Sequence, residues 1–173
     1  MKKIQKTFSV EGCTPDAGFV LDRTDCKLLN LLQKNNQITN VALADQVGIS
    51  APPCLKRVKR LRDEGIITHD VALIDPFKIG QRVMVFVTVV LTHPREDLLE
   101  LFERKMLEHP EIMQCHFISG EIDYLLTVQS SSINHYNEFS RKVFANDPNI
   151  KKYTSHICLS RVKFETQVQL PES

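Results

Sequence analysis

No apolar run in the 173-residue chain approaches the roughly 20 residues that span a bilayer, so a membrane helix is excluded. The opening Met1-Lys2-Lys3-Ile4-Gln5-Lys6 has the charge of a signal-peptide n-region. No apolar h-region follows, because Phe8 and Val10 are interrupted by Ser9, Glu11 and Gly12. The cytoplasm is therefore the expected compartment. Cys13, Cys26, Cys54, Cys115 and Cys158 are odd in number, widely spaced and without a CxxC pair. That pattern suits free thiols in a reducing compartment rather than a disulfide framework. A phosphate-binding glycine loop, a nucleophile elbow and HExxH are also missing, so no enzyme signature is present. His156 and Cys158 share one strand face, while Cys115 and His116 point opposite ways. Neither pair has further ligands at useful spacing, so neither a metal nor a cofactor is expected.

Net charge is also small, at +1, but it conceals an asymmetry. Residues 1–65 carry 11 Lys/Arg against 7 Asp/Glu, a balance of +4; the remainder carries 11 against 14, a balance of −3. A basic front and an acidic back suggest two domains, only one of which faces a polyanion.

The hydrophobic periods divide the chain in the same place. Residues 1–19 are polar, contain Gly12, Pro15 and Gly18, and show no sustained period, as a flexible arm would. Asp22 is a good N-cap and Asp25 adds charge to a first turn; Leu28, Leu29, Leu31 and Leu32 then form a helical apolar face that ends near Asn35-Asn36. A shorter helix runs from Val41 to Val47 and closes at Gly48. A third runs from about Ala51 to Glu64, with Leu55, Val58 and Leu61 on its apolar face and Gly65 beyond its end. Residues 66–74 read as two short extended segments around a turn, the place of a wing. The expected domains are thus a helix-turn-helix domain over 20–74, a hinge over 75–80 punctuated by Pro76 and Gly80, an α/β domain over 81–165 and a tail over 166–173.

Within 81–165 the elements alternate: a Val-rich strand from Arg82 to Leu91, a helix from about Arg95 to Glu108, and strands at Ile112–Ser119 and Ile122–Gln129. A helix from about Ile133 to Ala145 and a strand from Ile150 to Val162 follow. The order βαββαβ is the ferredoxin-like motif, so the chain is predicted to be α+β, with both helices on one face of an antiparallel sheet. The first strand carries Val83, Val85, Val87 and Val89 on one side and Met84, Phe86 and Val90 on the other. Helices cover only one of these two apolar faces, and a partner subunit is the economical cover for the other.

The second and third helices have helix-turn-helix spacing. Ala44 is small where they cross, Gly48 allows the tight turn, and Leu43, Val47 and Ile49 sit at core positions. The apolar positions Leu55 and Val58 of the third helix arrive about one residue late for the motif. This helix carries Lys56, Arg57, Lys59, Arg60 and Arg62. A recognition helix needs that composition, because phosphate contacts supply most of the affinity and Arg or Lys reads guanine edges. Ser50, Pro52 and Pro53 begin the helix, where missing N–H groups are harmless, and should lie near double-stranded DNA with Lys56, Arg57, Lys59 and Arg60.

Leu21-Asp22-Arg23-Thr24-Asp25, Gly48-Ile49-Ser50, Cys54-Leu55-Lys56-Arg57-Val58 and Leu61 through Gly65-Ile66-Ile67 resemble the DNA-binding half of the leucine-responsive regulator/AsnC (feast/famine) family. Ser119-Gly120-Glu121-Ile122-Asp123-Tyr124-Leu125-Leu126 is similar to the ligand-sensing stretch of that family, and together the likeness covers about residues 20–165. The resemblance implies a transcription regulator, not an enzyme, in a bacterial or archaeal cytoplasm and on its nucleoid. It further implies homodimers that associate into tetramers or octamers, and an amino-acid effector, leucine or methionine first, in a cleft of the C-terminal domain. Carried over, Ser119, Gly120, Glu121, Asp123 and Tyr124 would line that cleft, with Ser155 on the last strand. Gly120 would let a carboxylate approach backbone N–H groups, and Glu121 or Asp123 would accept bonds from an ammonium. Leucine-responsive members carry Gly-Asp-Phe-Asp where this chain has Gly120-Glu121-Ile122-Asp123. Two alternatives stand beside this one. Some tetrapyrrole decarboxylases share the layout but have no need of a basic recognition helix. An amino-acid-binding module acting on a protein partner fits the back half and leaves the front half unexplained.

Overall fold

The Asp-rich start of the first helix does what its sequence suggests. In the computed structural model, which describes residues 20–171, Asp22 caps helix α1 (Arg23–Lys34) in a capping box with Asp25. The arm expected over residues 1–19 lies outside the described residues. Thr39 caps α2 (Asn40–Val47) through the amide of Ala42, and Gly48 ends it at φ 80°, a left-handed conformation that glycine adopts without strain. Helix α3 (Ala51–Asp63) begins after Ser50, whose side chain caps nothing, with two prolines in its first turn.

The core of this unit joins Leu28 from α1, Leu43 and Ala44 from α2, and Cys54 and Val58 from α3. One expectation is corrected here. Leu55 is 58% exposed, and α3 buries Cys54, Val58 and Leu61 instead. The 4–3 spacing of those three residues keeps a helical stripe in register better than 55-58-61 would. The apparent one-residue lag of the apolar positions disappears once Cys54 is counted as a small hydrophobe. The two extended segments expected over 66–74 do not form strands: residues 64–82 are turns and irregular backbone.

The other unit is βαββαβ. Strand β1 (Val83–Leu91) is followed by α4 (Glu96–Leu107), β2 (Ile112–Phe117), β3 (Tyr124–Ser130), α5 (Ile133–Ser140) and β4 (Ile150–Ile157). A single π-helical turn, Arg141–Ala145, continues α5. The strands form one antiparallel sheet in the order β2-β3-β1-β4. Val85, Val87 and Val89 of β1 and Tyr124, Leu126 and Val128 of β3 share a core with Phe102 and Met106 of α4 and Tyr136 and Phe139 of α5. Both helices therefore cover one face, as the sequence predicts. On the opposite face Phe86 is 38% exposed, with Met84 and Val90 half-buried beside it. The last strand ends at Ile157, short of Val162, and the chain from Cys158 to Pro171 has no regular structure.

Among the described residues, contacts divide the chain into two units: residues 20–72 together with 165–171, and Leu73–Phe164. Residues 165–171, which include most of the expected C-terminal tail, make their contacts with the three helices.

Candidate nucleic-acid interface and ligand hairpin

Around α3, burial of Cys54, Val58 and Leu61 turns Pro52, Leu55, Lys56 and Lys59 outward, and Ser50 and Pro53 at the helix start are also exposed. The start is held from α2, where the Asn40 amide Nδ2 donates to the Ala51 carbonyl at 2.8 Å. Together with the Gly48 turn this fixes the two helices of the motif against each other.

Arg57 and Arg60 behave differently from the lysines. Asp25 is 0% exposed, and its carboxylate accepts from Arg57 Nη1 at 2.9 Å and from Arg60 Nη2 at 2.6 Å. The same Arg57 Nη1 lies 2.5 Å from Asp22 Oδ2. Within the capping box the Asp25 N–H donates to Asp22 Oδ1 at 2.8 Å, and the Asp22 N–H donates to Asp25 Oδ2 at 3.2 Å. A buried carboxylate is tolerable when paired and fully hydrogen-bonded, and the positive end of the α1 dipole adds to that. The Asp25 amide first, and then Arg57, hold the Asp22 carboxyl below its ordinary range. The reciprocal contacts to Asp22 and Asp25 raise the Arg57 guanidinium. Two guanidiniums expected at a DNA groove are thus engaged with Asp22 and Asp25, although Arg60 stays 45% exposed, and Lys56 and Lys59 are exposed near the helix start. Arg62, further along, pairs with Asp70 at 3.1 Å. The carboxylate partners went unrecognised in the sequence, where Asp25 reads as first-turn charge alone. The signal was there, because two aspartates three apart at the start of α1 match two arginines three apart on α3.

In the second unit, the turn joining β2 to β3 is closed by the Ile118 N–H donating to the Asp123 carbonyl at 2.9 Å. Ser119, Gly120 and Glu121 are exposed at its tip. Gly120 has φ 144°, and a Cβ there would meet nothing within 4 Å, so the constraint on this residue is backbone conformation rather than space. Asp123 turns back into the sheet: its N–H donates to the Val89 carbonyl at 2.9 Å and its Oδ2 accepts from the Leu91 N–H at 2.7 Å. This carboxylate pins the end of β1.

Tyr124, which the resemblance places at the cleft, is 0% exposed and points to the helix-covered face, as strand alternation dictates. Its ring packs between Phe102 and Phe117, with centroids 4.5 and 5.1 Å away, and its hydroxyl donates to Glu103 Oε1 at 2.9 Å. Burial, then Glu103, pushes the phenol far above its ordinary range. Burial, then Glu103, likewise pushes the nearby Cys115 thiol up to about 12, which suits an inert core thiol. Ser155 is not brought to the hairpin either. It lies on β4, at the sheet edge opposite β2, with its Oγ 2.5 Å from the Tyr136 hydroxyl. Among the described residues no group of three or more His, Cys, Asp or Glu is placed to hold a metal, and no helix is long and apolar enough to cross a membrane.

A three-helix helix-turn-helix unit joined to a ferredoxin-like unit defines a class of DNA-binding regulators that carry a sensor domain. Residues 21–68 match the winged helix-turn-helix DNA-binding family, and residues 84–168 match the Lrp/AsnC ligand binding domain. The chain is 35% identical over 151 residues to the DNA-binding transcriptional activator DecR of Escherichia coli, covering 87% of this chain and 99% of that protein. It is 34% identical over 143 residues to the leucine-responsive regulatory protein of Salmonella typhimurium, covering 83% and 87%. Among solved structures, the transcriptional regulator NMB0573 of Neisseria meningitidis, in complex with L-Met, superposes with a TM-score of 0.81 at 32% identity, covering 88% of this chain and 97% of that one. The chain belongs to the Lrp/AsnC family of transcriptional regulators.

Proposed function

We propose that this protein is a sequence-specific transcription regulator that places α3 in the major groove and responds to a small apolar amino acid, leucine or methionine first. The observation that carries the DNA half is the outward face of α3. Lys56 and Lys59 are exposed there beside Ser50, Pro52 and Pro53, while the Asp22/Asp25–Arg57/Arg60 cluster holds the helix at a fixed pose. Lysines on such a face neutralise phosphates, and a rigid pose is what makes base contacts selective. Arg57 and Arg60 serve here as positioning residues for α3.

The effector half rests on the exposed Ser119-Gly120-Glu121 tip. There a carboxylate can approach backbone amides beside a side-chain acceptor for an ammonium, and the L-Met complex of the Neisseria relative supports the ligand class. Asp123 supports the turn through Leu91 and is a second-rank contact. The half-exposed Phe86 face of the sheet is the surface that pairs two subunits into a homodimer, the unit of a tetramer or octamer acting at the nucleoid.

Selection of bound duplexes from random DNA, with and without a panel of amino acids, tests both halves together. A recurring sequence with two-fold symmetry, whose enrichment changes with leucine or methionine, is expected. An unenriched pool under all conditions would refute the DNA-binding half. Gly120→Val is expected to weaken effector binding at least about tenfold, because a β-branched residue resists positive φ, and to leave effector-free DNA affinity unchanged. Calorimetry showing undiminished leucine and methionine binding by that variant would remove the hairpin from the site.

A further inference from the structure

Helix α1 carries two side-chain amides, Asn30 and Gln33, one turn apart and so on one face. Each amide offers a carbonyl acceptor and an NH2 donor, the same pair that a residue of a strand edge presents. Gln33 Nε2 donates to the Val168 carbonyl at 2.9 Å, and Gln33 Oε1 accepts from the Val168 N–H at 2.7 Å. Asn30 repeats the pattern one rung on: Nδ2 donates to the Leu170 carbonyl at 3.2 Å, and Oδ1 accepts from the Leu170 N–H at 3.3 Å. Residues i and i+2 of an extended chain direct their backbone groups to the same side, so the i, i+3 amides of a helix can act as two rungs for it. The segment runs antiparallel to α1, since 168 meets 33 and 170 meets 30.

Two features say that the pairing is built in rather than incidental. Asn30 interrupts the apolar run Leu28-Leu29-Asn30-Leu31-Leu32, in a helix interior where Asn is a poor choice. It is also 7% exposed, and an amide at such a depth needs partners. The Leu170 backbone supplies partners for both ends of it.

We infer that the Asn30–Gln33 face of α1 is a binding site for an extended peptide, and that its occupant is the chain's own segment around Val168–Leu170, held as a releasable latch. With the latch closed, the three-helix unit is joined to residues 73–164 at both ends of that sequence; with it open, at one end only. A two-rung contact of this kind, half of it exposed, belongs to the low-stability end of local opening, which is where switching elements are found. This latch does not depend on DNA recognition by α3, and loss of one leaves the other testable.

Amide hydrogen exchange on the full chain tests it. The Val168 and Leu170 amides are expected to exchange at least about tenfold more slowly than in a free peptide of the same sequence, and Gln33→Ala, at an exposed position, should abolish the protection of Val168 without altering the exchange of α1. Dilution should leave the protection unchanged; its loss on dilution would assign the site to a second copy's segment and overturn the latch. In a chain ending at Phe164, a labelled peptide of residues 165–173 should bind saturably, and binding should fall at least about tenfold with Asn30→Ala/Gln33→Ala. Free-peptide exchange rates at 168 and 170 in the full chain, or peptide binding indifferent to the two amides, would overturn it.

Discussion

Replacing Lys56 and Lys59 together by alanine is expected to remove most of the salt dependence of DNA binding. A complex with six or more phosphate contacts loses roughly 10³-fold or more in affinity between 50 and 200 mM salt, and each contact removed lowers the logarithmic slope by about 0.9. If a dimer presents two copies of α3, the double substitution deletes four cations from the interface. The slope should fall by about 3.6, so that the loss over the same salt range shrinks by roughly two orders of magnitude. The lysines are exposed and sit opposite the Cys54–Val58–Leu61 stripe, so no comparable loss of stability accompanies the change. Arg57→Ala separates the two roles of basic residues on this helix. Its guanidinium is bonded to Asp22 and Asp25, so it should weaken binding by loosening α3 while leaving the slope close to that of the unmodified protein. Anisotropy titrations at several salt concentrations distinguish these outcomes. An unchanged slope for the lysine variant would take α3 out of the interface.

Asp25→Ala is expected to cost the three-helix unit about 3 kcal/mol. A lost cap costs about 1 kcal/mol, and a hydrogen bond to a charged group is worth about 1.5–3 kcal/mol. Asp25 supplies the cap partner and two charge-assisted bonds at once. The arginines are partly exposed and recover some hydration when released, which keeps the figure below the simple sum. The chain has no tryptophan, and its contacts fall into two units, so residue-resolved hydrogen exchange is the suitable readout. Protection in α1–α3 should fall about 10²-fold, in line with 3 kcal/mol, while β1–β4 are unaffected. Asp25→Asn, which keeps the volume and one acceptor, should lose less. Equal protection in Asp25→Ala and the parent would show that the buried carboxylate contributes nothing to holding α3.

The elements themselves were legible because their hydrophobic periods are strong: 3.6 residues in α1 and α3, and 2 in the β1 strand, whose Val85, Val87 and Val89 face the helices. The errors came where a residue's role depends on a neighbour distant in sequence. Cys54 was passed over for Leu55 because leucine looks the better core residue, yet a small thiol fits the site at the α2–α3 crossing. Ile66, Val71, Leu73 and Ile74 suggest strands, but a strand needs a pairing partner and none stands beside them among the described residues; all four are exposed. Tyr124 enters the cleft set through the family resemblance, whereas strand alternation turns its ring to the helix-covered face. The roles of Asn30 and Gln33 depend on contacts 140 and 135 residues away in the chain, beyond the reach of any local pattern.

The most direct measurement places a photo-crosslinker on α3. A cysteine at position 56, carrying an azide and bound to a duplex selected from random DNA, is expected to attach within the recurring sequence. The same probe at Arg104, exposed on α4 of the other unit, should leave the DNA unmodified. Attachment from position 104 with none from position 56 would contradict the assignment of α3 to the groove.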